Sequence, residues 1–65
     1  MNEQELDDFL IEKGFVLRNY DEFDILMNKC PFIVRKQCID YGSKYYKYIL
    51  TSLSLRSWVV YIPQP

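Results

Sequence analysis

This 65-residue chain holds only two glycines, Gly14 and Gly42, and their positions limit what it can fold into. Glycine enters positive φ at no steric cost, so a lone glycine after an apolar stripe reads as a helix stop, and one before a polar residue between two β-rich runs reads as a hairpin. Upstream of Gly14, Asn2 is a cap residue and Glu5 stands at the third helical position to close a capping box. Leu6, Phe9 and Leu10 follow at i, i+3 and i+4, and Phe15 is placed to fold back on Leu10. The spacing predicts a helix over 3–13. Around the second glycine, FIVRKQCIDY and KYYKYILTS are both strand-like, and Gly42-Ser43 between them is a hairpin signal.

Between the two signals the pattern is weaker. Phe15, Leu17 and Asn19 alternate with Val16, Arg18 and Tyr20, and Phe23, Ile25 and Met27 alternate with Asp24, Leu26 and Asn28, which predicts two strands about a turn near Asp21. A short helix over 21–29, capped by Asp21 and stopped by Pro31, is the rival reading. The final run SWVVYI is strand-like and ends at Pro63 and Pro65. The expected fold is α+β: a single domain over 1–65, with one N-terminal amphipathic helix packed on a four- to five-stranded antiparallel sheet.

A chain of this length buries only about 60% of its unfolded surface, yet 49% of its residues are hydrophobic and 17% aromatic. Some large side chains must therefore stay outside an intramolecular core, and self-association, most simply as a homodimer, is the expected cover. A helix on one sheet face leaves the other open. Trp58, Val60 and Ile62, or Tyr61 with Val59 on the opposite face, are the expected subunit or partner contacts.

Residues 1–31 hold eight acids against three bases, whereas residues 32–65 hold five bases against Asp40 alone. The expected acidic surface is the outer side of the first helix, with Asp8 and Glu12, and the basic residues are Arg35, Lys36, Lys44, Lys47 and Arg56. Within YGSKYYKYIL, alternation puts Tyr46, Tyr48 and Leu50 on one face and Tyr45, Lys47, Ile49 and Thr51 on the other, so the tyrosines do not form one platform. A patch of Tyr45, Lys47 and Arg35 remains as a candidate contact surface. A nucleotide or single-stranded nucleic acid would instead use Tyr45, Tyr46 or Trp58 for stacking and Arg35, Lys44, Lys47 or Arg56 for phosphate.

The chain has no histidine, nucleophile elbow or Gly-rich phosphate loop, so neither catalysis nor a cofactor is expected. Cys30 and Cys38 match no familiar zinc spacing and are expected as buried structural thiols, a disulfide being the alternative; Asp21 and Asp24 are expected as turn caps and not metal ligands. The N-terminus lacks the basic and apolar regions of a signal peptide and no apolar run is long enough to span a membrane, so a cytoplasmic, non-membrane protein is expected. The resulting expectation is a non-enzymatic interaction protein that binds and inhibits or adapts a larger protein. In general make-up it is similar to the small proteins that phages encode to inhibit host enzymes or defence systems, a likeness of class and not of motif.

Overall fold

The computed structural model describes residues 1–41 and 44–65, without the side chains of Asp40 and Tyr41. Helix α1 (Glu3–Lys13) and helix α2 (Tyr20–Asn28) precede strands β1 (Ile33–Tyr41), β2 (Tyr45–Ser52) and β3 (Ser57–Pro63). The strands form an antiparallel sheet in the order β1-β2-β3. The α+β class and the α1 boundaries agree with the sequence. The sheet has three strands among the described residues, not four or five, and the expected Gly42-Ser43 turn lies outside them.

Helix α1 begins and ends as its residues dictate. The Asn2 side chain accepts from the Glu5 N–H at 2.8 Å and Glu5 accepts from the Asn2 N–H at 2.9 Å, which satisfies two of the helix's orphan donors. Gly14 sits at φ 67, its N–H bonded to Ile11 O, and Phe15 N–H bonds Leu10 O. A Cβ on Gly14 would meet nothing within 4 Å, so glycine is favoured there by its backbone conformation and not by crowding.

The two strands expected within 15–29 do not form. Gly14 and Phe15 (φ 63) are both left-handed and reverse the chain, and the segment beyond them makes one parallel bridge, between Val16 and Tyr61. Residues 20–28 are helical because Asn19, not Asp21, is the cap: its side chain accepts from Glu22 N–H at 2.9 Å. Phe23 and Leu26, three apart, then point inward and are buried while Ile25 is 57% exposed, so the 3.6 period overrode the apparent alternation.

The core unites Leu6 and Leu10 of α1, Leu17, Phe23 and Leu26 of α2, Cys30, Leu50 of β2, and Trp58, Val60 and Ile62 of β3. Every sheet member of this set lies at an even position, so both helices cover one face, here the inner one. Tyr46 and Tyr48 pack against the same cluster, Tyr48 lying 4.7 Å from the Phe23 ring centre and 6.3 Å from that of Tyr20. Among the described residues no fully buried core residue comes from β1, which overhangs the helices; Val34 to Ile39 are all exposed.

Leu10 is completely buried. Replacing it by Ala should cost about 2–4 kcal/mol, read as a lower denaturant midpoint at unchanged slope; an unaltered midpoint would mean that α1 is not docked.

Candidate interaction face

A tie at the start of β3 fixes which way the sheet faces. The Trp58 indole, 5% exposed, needs an acceptor for its N–H, and Asp7 of α1 supplies one at 2.6 Å. Arg56 also pairs with Asp7, lies 3.9 Å from Glu3 and stacks its guanidinium 5.0 Å from the Trp58 ring centre. The indole hydrogen bond, then the Arg56 guanidinium, hold the Asp7 carboxyl below the usual carboxylate range. Glu22 is lowered as well, chiefly by the Arg18 backbone N–H at 3.0 Å and then by Lys13 at 3.3 Å.

With both helices on the inner side, no helix or strand covers the outer face of the sheet among the described residues. Register sets it out in rows: Arg35, Thr51 and Ser57; Gln37, Ile49 and Val59; Ile39, Lys47 and Tyr61 across β1, β2 and β3, then Tyr45 and Pro63 of β2 and β3. Ile39 and Tyr45 are 39% and 38% exposed and Ile49, Val59 and Tyr61 half-buried. None of these eleven positions holds an acid. A cleft of about 600 Å³ along β3 joins this face, its lining including Phe15, Lys47, Val59 and Tyr61 together with Asp7 and Arg56.

The expected site residues separate accordingly. Trp58, Val60 and Ile62, candidates for a subunit contact, are occupied by the chain's own core: parity turns them toward the helices. Tyr61 and Val59 face outward, as does Tyr45. Tyr45, Lys47 and Arg35 share the outer face, but Arg35 lies two rows from Lys47 and three from Tyr45, so they form a line along the face and not a compact patch. Asp8 and Glu12 are exposed on α1, Asp8 accepting from the Gln4 side chain at 3.1 Å. Of the stacking candidates, Tyr46 faces inward, Trp58 is buried and Tyr45 faces outward. Of the phosphate candidates, Lys44 and Arg35 are exposed and Arg56 is engaged with α1.

The thiols also part. Both are free; Cys30 is buried and Cys38 exposed, contrary to a shared buried role, because Cys38 sits on the overhanging strand. Burial pushes the Cys30 thiol up. Tyr48 is raised, first by its contact with Tyr20 at 3.4 Å and then by burial. Among the described residues no three of Cys, Asp and Glu come together to hold a metal, and no helix is long and apolar enough to cross a membrane.

Sequence reasoning missed Leu53 and Leu55, 78% and 84% exposed in the β2–β3 turn. Leu55 is left-handed at φ 68, a conformation that costs a branched residue about 1–2 kcal/mol. The turn is held by Ser52, whose hydroxyl accepts from Arg56 N–H at 3.1 Å and meets Ser54 at 2.9 Å, and by Ser54 donating to Glu3 at 2.8 Å. A leucine that neither packs nor relaxes is the signal, and it is visible only in the backbone. No family model, curated protein or solved structure matches the chain.

The Asp7 shift has a defined sign. Its folded-state pKa is lowered, so its stabilisation is present above the unfolded carboxylate value and is lost as pH falls through the folded one. Asp7→Asn should therefore be less stable than wild type at neutral pH, and the gap in melting temperature should close as the pH is taken below the ordinary carboxylate range. A gap that stays constant well below that range would remove the charge of Asp7 from the account.

Proposed function

We propose that this is a non-enzymatic interaction protein that binds a larger protein through the outer sheet face and the adjoining leucine turn, and so blocks or adapts its target. The observation that carries the proposal is the outer face that no described helix or strand covers: an ordered row system with Ile39, Ile49, Val59 and Tyr61 at its centre, Tyr45 at one end, cations at Arg35 and Lys47, and no acid. Eight of the nine acids lie in the first 31 residues, mostly on the helical layer, so the two sides of the molecule differ in charge. The fitting target patch is apolar with an acidic rim, because apolar burial supplies affinity and charge complementarity supplies orientation and rate. This is the mode of action expected of a small inhibitor or adaptor, the class that the chain's make-up resembles.

A nucleic-acid role draws less support, since the rings that would stack are distributed over both faces and the core. The two roles differ in salt response: phosphate-driven binding falls by orders of magnitude between about 50 and 200 mM salt, whereas an apolar contact persists.

Co-purification from the native cell should retain one discrete protein with the wild type at raised salt and lose it with Ile49→Asp, which sets a charge in the middle of the face. Leu55→Gly should be neutral or stabilising by up to about 1 kcal/mol, as left-handed strain is relieved against a more flexible unfolded chain, while weakening that capture. Retention confined to oligonucleotide resin, collapsing with salt, would replace the protein target with nucleic acid.

A further inference from the structure

We propose that two copies of the chain join edge to edge through β1, antiparallel about a two-fold axis at Cys38, to make one continuous six-stranded sheet. This seam is separate from the outer face and does not depend on what that face binds.

The direction of the backbone groups establishes which positions are open. On the free side of β3, Tyr61 N–H bonds Phe15 O at 2.8 Å and Tyr61 O accepts from Leu17 N–H at 2.9 Å, so odd residues of β3 point away from the sheet and even ones toward β2. Alternation carried through the register makes Tyr45, Lys47, Ile49 and Thr51 bond to Tyr41, Ile39, Gln37 and Arg35. Lys36, Cys38 and Asp40 then direct their N–H and C=O groups outward along β1, where Val34 to Ile39 are all exposed. A register shift between Ile33 and Arg35 ends the regular ladder, which therefore runs from Arg35 to Tyr41. Cys38 is its midpoint.

That stretch, RKQCIDY, is self-complementary when reversed. Pairing about Cys38 sets Lys36 of each copy opposite Asp40 of the other, Gln37 opposite Ile39, and Arg35 opposite Tyr41. Moving the axis to Gln37 or Ile39 leaves Lys36 and Asp40 opposite uncharged residues, and moving it to Lys36 or Asp40 sets like charges face to face. Parallel pairing opposes lysine to lysine. An edge lysine commonly repels a second strand, but in this one register it is matched by an acid. The other edge is different: Phe15 to Leu17 cover β3 at Tyr61, so assembly through β1 closes at two copies and does not propagate.

Sedimentation of the full chain at high micromolar concentration tests the seam. The wild type should be a dimer, Lys36→Glu should weaken it roughly tenfold or more by facing Asp40 with a like charge, and Lys36→Glu with Asp40→Lys should restore it. Lys36 is exposed, so the single variant should keep the wild-type circular dichroism. A short bis-maleimide should link the wild type through Cys38 and fail with Cys38→Ser, buried Cys30 serving as the internal control. Ile49→Asp should leave the dimer intact. A monomeric wild type, a dimer indifferent to Lys36→Glu, a double variant as weak as the single one, or a dimer dissolved by Ile49→Asp would each overturn the proposal.

Discussion

The structure depends on the indole N–H of Trp58 finding an acceptor inside the protein. A buried tryptophan contributes more apolar area than any other residue in this chain, but its one donor must be satisfied or the gain is offset by a desolvated polar group. Asp7 meets that need from α1, and Arg56 neutralises the carboxylate that results. Helix, turn and strand are thereby joined at one point, 51 residues apart in sequence. Since Trp58 faces inward, its neighbours Val60 and Ile62 face inward too, and the helices are committed to that side of the sheet.

The bare outer face is a consequence of this commitment. Two helices of 11 and 9 residues cover β2 and β3 on one side, and among the described residues no helix or strand covers the other side. The side chains there are accordingly a compromise: β-branched and aromatic residues that suit a strand, interspersed with Arg35, Gln37, Lys47 and Thr51, which keep the face wettable. The acids were legible as a group from the sequence, and the fold gives the segregation its meaning, because the acidic half becomes the helical layer and the basic half becomes the sheet.

Helix α1 was legible because cap, stripe and stop agree, each one a local signal. The division of β2 between two faces was legible for the same reason, since alternation needs no knowledge of partners, although which face turns inward was not. Helix α2 was not: Phe23, Ile25 and Met27 imitate a strand, while Phe23, Leu26 and Met27 form a helical stripe, and a nine-residue window cannot separate the two. The deciding residue was Asn19, followed three places on by Glu22, the same spacing as Asn2 and Glu5. Its weight lay in capping chemistry and not in hydrophobic period. The inward fate of Trp58 was hidden for another reason, since an all-apolar strand has no polar face to reveal its orientation. That information sits in Asp7, which no local pattern connects to Trp58.

The leucine turn is where the demands of the fold and those of solvation pull in different directions. Arg56 holds Asp7, Glu3 and the Trp58 ring on one side, and its backbone bonds Ser52 on the other. Ser54 reaches Glu3 from the same turn. These contacts fix residues 52–56 so firmly that Leu55 keeps a left-handed backbone without any packing to offset it. A glycine would fit the turn with less strain, and a polar residue would suit the solvent better. A fold optimised for its own stability would use either. The same ion pairs that help to bury Trp58 also hold the turn that leaves Leu53 and Leu55 exposed, so one set of contacts both closes the core and keeps two leucines in solvent.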